Sequence, residues 1–191
     1  MNTITTTRCA WANGNVLMST YHDQEWGVPT RNDKKLFEFL ILESAQAGLS
    51  WLTILKRREG YRKAFMGFDP KKVAKFREND VEKLLKDPEI IRHRAKIEAA
   101  VNNAKRFLEI QKEFGSFAKY SWKFVKNKPI RHTIRKDSDY PTVIKEAEIF
   151  AKDLKKRGFK FLGQTTIYAH MQAVGMVDDH MIDCFCRRKS S

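Results

Sequence analysis

The sequence has no apolar run approaching the roughly 18 residues that a membrane span needs, so no transmembrane helix is expected. Cysteine is scarce. Three residues make an odd count at spacings unlike a disulfide framework, which argues for a reducing compartment. The stretch from Met1 to Thr7 is polar and lacks the apolar core of a secretory leader. A cytoplasmic protein is the expectation. Internal repeats and low-complexity segments are also missing. So is period-two alternation bounded by hairpin turns, and no sheet is predicted. Acidic residues are few beside basic ones, 23 Asp and Glu against 37 Lys and Arg, a formal charge of +14.

What is present is a globular composition. Hydrophobic residues make up 42% of the 191, with 13 Phe and 4 Trp, enough to bury a real core and too many for a disordered chain. The expectation is one domain over 1–191, with two closely packed helical lobes as a variant. The positive charge attracts polyanions, because phosphates neutralised by Lys and Arg release condensed counterions. A soluble protein with solvated lysines is the alternative at this level.

Helix signals recur along the chain. Asp33 is placed to cap a helix through Leu36, Phe37, Leu40 and Ile41, with Gly48 beyond its end. Ser50 caps the next, running toward Tyr61. Asp69-Pro70 is a cap followed by proline at the first helical position. Asn79-Asp80-Val81-Glu82 reads as a capping-box start. The longest pattern runs from Ala95 to Phe114 and stops at Gly115; another spans roughly Val143 to Arg157 before Gly158. Lys126 to Pro141 is polar and basic and reads as loop. The fold class is all-α.

Between Gly158 and Gly163 two helices are joined by a short turn, the second beginning at Gln164 or Thr165. A glycine-bounded helix N-terminus offers unpaired N–H groups and the positive end of the macrodipole to a phosphate. Lys155, Lys156, Arg157 and Lys160 add cations beside it. An ordinary corner between two helices has the same spacing.

Cys9 and His22 lie near one end of the sequence, His180 and Cys184 near the other. On a helix the second pair shares one face, and two thiols with two imidazoles suit a closed tetrahedral zinc site. Buried cysteines and hydrogen-bonded histidines remain the alternative. Cys186 is expected to point away from that face, and His93, His132 and His170 to be surface or nucleic-acid-facing groups. Glu43 stands three residues after Leu40, four after Phe39 and seven after Leu36, on an apolar stripe where a carboxylate is costly unless paired or used. Trp51 follows past Gly48, and Tyr21-His22-Asp23-Gln24-Glu25-Trp26-Gly27 packs aromatic and polar groups densely. Rings could stack on a flipped-out base while the carboxylate accepts hydrogen bonds from its edge. A partner for Glu43 inside an ordinary core is the alternative.

Five segments carry a resemblance. Arg8-Cys9-Ala10-Trp11, Tyr21 through Pro29, Leu42 through Trp51, Ile90-Ile91-Arg92-His93-Arg94 and Lys155 through Gly163 are similar, in order, to the 3-methyladenine DNA glycosylase I family of the helix-hairpin-helix superfamily. That resemblance implies a compact helical enzyme that excises 3-methyladenine from alkylated double-stranded DNA without lyase activity. It implies one structural zinc on Cys9, His22, His180 and Cys184, joining the two terminal segments, and no organic cofactor. It places the base pocket on Glu43, Tyr21 and Trp51 with Trp11 nearby, Glu43 and Tyr21 taking the catalytic roles. Lys160, Gly163 and Thr165 would hold the DNA backbone. A monomer without membrane contact is expected. Two positions depart from the pattern. Met18 stands where the family can carry another pocket aromatic. Asp178 falls near the essential aspartate of other helix-hairpin-helix glycosylases, and capping of a final helix is its expected role. A broader alkylpurine glycosylase using Asp178, or a non-catalytic DNA-binding module, are the rival readings.

Overall fold

The computed structural model describes residues 7–187; the polar stretch read at Met1 to Thr7 lies outside this range except for Thr7. A helical turn at Ala10–Ala12 precedes α1 (Val16–Gln24), α2 (Asp33–Gln46) and α3 (Trp51–Ala64). Then come α4 (Pro70–Val73), α5 (Glu78–Lys86), α6 (Arg94–Phe114) and α7 (Phe117–Ser121). After a long connection, α8 (Lys145–Lys156) and α9 (Gln164–Ala173) complete the helices among the described residues.

The centre of the molecule is α2. Every residue from Leu36 to Ala45 is buried, the mark of a helix surrounded on all sides, and α3, α6, α7 and α9 pack around it. Its local cap is Asn32, whose side chain accepts from the Lys35 N–H, one residue earlier than the sequence suggested. Asp33 is committed elsewhere: its carboxylate accepts from the N–H groups of Phe117 and Ala118, both at 2.8 Å, and from Gln111. It thus satisfies the first donors of α7 and ties that helix to α2. Ser50 and Asp69 cap α3 and α4. The α5 start moves to Glu78, where Asp80 accepts from the Arg77 N–H. The long α6 ends at Gly115, with φ +84.

The chain is mostly helical but carries a minimal sheet. Ile130–Arg131 (β1) pairs in parallel with Val177–Asp178 (β2), and an Ile134–Met181 bridge continues the contact. Strands of two residues leave no periodicity to read, so the expectation of no sheet failed here for lack of length. Nor is there a final helix among the described residues: the segment 179–187 is bridge and turns, and Asp178, expected to cap such a helix, sits in β2. No helix among the described residues is long and apolar enough to cross a membrane.

His170, expected at the surface, is completely buried on the core face of α9, and neither ring nitrogen has a partner among the described residues. Burial pushes it down to about 3, so the folded ring is neutral. An unfolded histidine titrates near about 6.5, and below that pH the unfolded chain binds a proton the native state refuses. Stability therefore falls as pH falls from about 6.5 toward about 3. Urea unfolding of wild type and His170→Leu should show the variant gaining about 2–3 kcal/mol on wild type between pH 7 and pH 4.5. A difference that does not move with pH would count against a neutral buried ring.

Candidate active site

A cavity of about 440 Å³ is lined by residues of α1, α2, the start of α3, the 126–144 connection and α9. Trp11, Met18 and Tyr21 form one side. Asn15 caps α1 by accepting from the Leu17 N–H, which starts the helix so that Met18 and Tyr21, three residues apart, share its face. Gly48, with φ +80, ends α2, and Ser50 opens α3 by accepting from the Thr53 N–H. This tight turn makes Trp51 the first residue of α3 and sets its ring 5.2 Å from that of Tyr21. Trp11 stands 6.4 Å from the Tyr21 ring on another side.

Glu43 comes from the buried middle of α2 and lines the cavity while only 5% exposed. No hydrogen bond or ion pair reaches its carboxyl group from the described residues, and burial is the one influence on its titration. Burial alone pushes it up to about 8, so near neutral pH the carboxyl largely keeps its proton. Burial also holds the Tyr21 hydroxyl well above its usual range, with Glu43 adding to the effect. The Trp51 indole N–H is buried without an acceptor among the described residues.

Behind the pocket the acids behave differently. Phe39 lies 6.2 Å from Tyr21 and 6.4 Å from Trp51, and the Lys35 and Arg58 cations sit against the same ring at 5.1 and 5.4 Å. Arg58 bridges Glu25 at 2.6 Å and Glu38 at 2.8 Å. For Glu25, burial works against the charge, but hydrogen bonds from Arg58 and Lys35 outweigh it and bring the group down to about 2. Of the acids around Phe39, only Glu43 faces a cavity with its charge uncompensated.

On the far side of α1, His22, His180, Cys184 and Cys186 place one ligand atom each within 4.8 Å of one another. Cys186, expected to point away, belongs to this group, with its sulfur 3.8 Å from His22 Nδ1. The expectation assumed helical spacing; in a chain of turns, residues 184 and 186 fold back to one place. The Cys9 sulfur accepts from the Met181 N–H at 3.3 Å and interacts with the Cys184 thiol. Nδ1 of His22 faces Asp23 and Nδ1 of His180 faces Asp178, both at 2.8 Å. That leaves each Nε2 toward the thiols, and Nε2 of His180 is buried with no partner among the described residues. An orphaned imidazole nitrogen among thiols, its ring oriented by a carboxylate, suits a zinc ion.

The α8–α9 turn lies apart from both. Buried Asn103 of α6 accepts from the Lys160 N–H at 2.8 Å and donates to the Lys160 carbonyl at 2.9 Å, and Asn102 donates to the Gly158 carbonyl. Gly163 caps α9 with no side chain, and a Cβ added there would meet open space. Lys160 and Gly163 are exposed on this turn, whereas Thr165 also lines the cavity.

The methyladenine glycosylase family profile matches residues 11–187. The DNA-3-methyladenine glycosylase of Haemophilus influenzae is 48% identical over 182 residues, covering 95% of this chain and 98% of that one. DNA-3-methyladenine glycosylase 1 of Escherichia coli is 48% identical, covering 94% and 96%. The chain belongs to the methyladenine glycosylase family. Two solved structures of 3-methyladenine DNA glycosylase I superpose with a TM-score of 0.93. One is 47% identical over 95% of this chain and 100% of its own; the other, from Staphylococcus aureus and described in terms of 3-methyladenine recognition, is 43% identical over 96% and 98%.

Within this family fold, Glu43, Tyr21, Trp51, Trp11 and Met18 line one cavity, and three of the four zinc candidates, His22, His180 and Cys184, gather at another centre, where Cys186 and not the expected Cys9 completes the group. Asp178 does not line the cavity. Its carboxylate is bonded to His180 and lies 3.5 Å from Arg131. Sequence reasoning missed Tyr140, Tyr168 and Gln172 on the cavity wall. Thr165, Tyr168 and Gln172 lie at helical spacing and could have been found as one face of α9; nothing local marks Tyr140.

The Glu43 environment predicts a pH dependence. Unfolded, the carboxyl titrates in the ordinary range near about 4.3; folded, it titrates near 8. Between these values the native state holds a proton that the unfolded chain has lost, so stability falls as pH rises through the window. Chemical denaturation of Glu43→Gln against wild type should show the variant gaining about 3 kcal/mol from pH 5 to pH 8. An unchanging difference would mean that Glu43 is not a desolvated carboxyl.

Proposed function

We propose that this chain hydrolyses the N-glycosidic bond of 3-methyladenine in alkylated double-stranded DNA, a step of base-excision repair that releases the free base and leaves an abasic site. The relatives named above support the reaction class. The observation that carries it for this chain is Glu43, a buried and unpaired carboxyl among aromatic rings in a cavity wide enough for a purine.

Methylation at N3 makes adenine a cation and a good leaving group. The nucleotide must be flipped from the duplex, at a cost of a few kcal/mol, into a pocket that holds it by stacking and edge contacts. Trp51 supplies a stacking face, and Tyr21 lines the pocket near the sugar. A cationic ring beside Glu43 lowers its pKa, the carboxyl releases its proton to solvent, and the carboxylate charge forms when the alkylated base is bound. An unmodified, neutral base gains no such term. The C1′–N9 bond then breaks, its electron pair leaves with the base and quenches the cation, and water adds hydroxide to C1′ while its second proton passes to solvent. Glu43 acts as reader of the base and as electrostatic support for the cationic transition state, not as the base that activates water. A lyase step needs an amine nucleophile, and no lysine lines the cavity among the described residues. Backbone grip falls to Gly163, Thr165 and Lys160, on a turn held in shape by Asn103.

Zinc would be held by His22, His180 and Cys184, with Cys9 and Cys186 both beside the fourth position. It would tie the segment after α9 to α1 and the turn preceding it. Burial and the neighbouring thiol raise Cys9 to about 11, a penalty that a divalent cation reverses.

Of the rival readings, the broader glycosylase requires Asp178 at the pocket, where it does not stand; the non-catalytic module does not explain the cost of burying Glu43. Chromatography of bases released from methylated duplex DNA decides. Wild type should release 3-methyladenine, and Glu43→Gln should lose at least about 30-fold in kcat/KM, the worth of about 2 kcal/mol from a charged hydrogen bond. Equal rates would sink the role given to Glu43. Metal analysis of the purified protein should give about one zinc per chain. Cys9→Ser and Cys186→Ser identify the fourth ligand by which variant loses it, and a fully folded, metal-free wild type would refute the site.

A further inference from the structure

Asp179 is completely buried beside the cavity, and its oxygens are taken up by three side chains. The Tyr168 hydroxyl donates to Oδ2 at 2.5 Å, the Gln172 Nε2 group donates to the same oxygen at 2.7 Å, and His132 Nδ1 lies 2.6 Å from Oδ1. Tyr168 and Gln172 stand one turn apart on α9, and both line the cavity. This arrangement decides the polarity of that wall. Asp179 Oδ2 accepts from the Tyr168 hydroxyl, and the same oxygen meets the Nε2 end of the Gln172 amide. The amide cannot turn over, and its Oε1, which bonds to no described residue, remains as an acceptor. The Tyr168 proton is committed in the same way, leaving only lone pairs on its oxygen.

We propose that Asp179 is a positioning residue for base selection: by locking Gln172 and Tyr168 as acceptors, it makes the α9 wall favour a purine that presents an exocyclic amine over one that presents a carbonyl. The inference rests on the base-excision reading above and specifies the base further. Adenine carries an amine at C6, and guanine a carbonyl. Against the locked wall, a carbonyl sets acceptor against acceptor and leaves both unpaired, and sites built to hydrogen-bond one group reject an analogue lacking it.

Duplex DNA treated with a methylating agent contains both 3-methyladenine and 3-methylguanine, so one digest gives the ratio of their release rates. In Asp179→Asn the new amide can donate to a turned Gln172, which then offers Nε2 to the cavity. The ratio should fall toward 3-methylguanine by about tenfold, the value of one hydrogen bond. Gln172→Met, which removes the acceptor and leaves Asp179 in place, should lower the ratio similarly. Adding Asp179→Asn to Gln172→Met should lower the ratio by less than Asp179→Asn does alone, because the carboxylate acts largely through the amide and only the remainder passes through Tyr168. Wild-type zinc content in each variant separates the effect from damage at neighbouring His180. A wild-type ratio in both single variants overturns the proposal, as does an Asp179→Asn effect that persists in full without Gln172. Should Asp179→Asn fail to fold, the Gln172→Met ratio decides alone. A wild type that releases neither base refutes the base-excision reading instead.

Discussion

Both functional centres are assembled across one close backbone approach, where the end of α9 meets the chain leaving α1. At Gly175, with φ +69, an added Cβ would fall 2.2 Å from the Pro29 nitrogen and 2.3 Å from the Val28 carbonyl carbon. At Gly27, with φ +72, it would fall 2.6 Å from the His180 ring. The contact is stitched by hydrogen bonds from the Gly27 N–H to the Gln172 carbonyl and from the Thr30 N–H to the Val174 carbonyl. Only residues without a side chain allow two backbones so near while holding positive φ. One side of this seam carries Tyr21 and His22 on α1. The other carries Tyr168 and Gln172 on α9, then Asp179 and His180. Tyr21, Tyr168 and Gln172 wall the cavity, while His22 and His180 enter the thiol cluster.

The seam delivers the walls, and α2 delivers the charge. Its two buried acids show the two fates open to a carboxylate in a core. Glu38 is met by Lys35, Arg58 and Arg62, so its charge is compensated in place. Glu43, five residues further on, meets no cation among the described residues and is driven up to about 8. A shift of this size represents several kcal/mol withheld from folding whenever the group is ionised, a cost characteristic of sites shaped for a ligand and not for stability. A cationic ligand beside Glu43 would lower this cost, and a neutral one would not.

The faces of α9 are divided in the same way. The face toward the cavity is polar and held by Asp179, and the face toward α2 and α8 takes Ile167, His170 and Met171 into the core. Its N-terminus belongs to the exposed turn clamped by Asn102 and Asn103. One ten-residue helix thus connects the exposed turn, the cavity wall and the seam, so a displacement at the turn is carried rigidly toward Gln172.

The sequence by itself determined the helices, their caps at Ser50 and Asp69, the stop at Gly115, and the anomaly of a carboxylate on the Leu36–Leu40 stripe. These are local matters: periodicity, capping and φ > 0 act within a few residues of chain. It also contained the five segments whose resemblance pointed to the family. What it did not contain was any relation fixed by contact between distant segments. The two-residue strands at Ile130 and Val177 are specified by each other; Asp33 caps a helix more than 80 residues away; Cys186 joins His22 because the segment after β2 turns where helical spacing was assumed. Tyr140 reached the cavity wall, and Asp179 its place behind Tyr168 and Gln172, in the same way. Tertiary structure decided these because a hydrogen bond or a desolvated charge depends on which groups lie within a few ångströms, and no pattern along one segment records what another will bring.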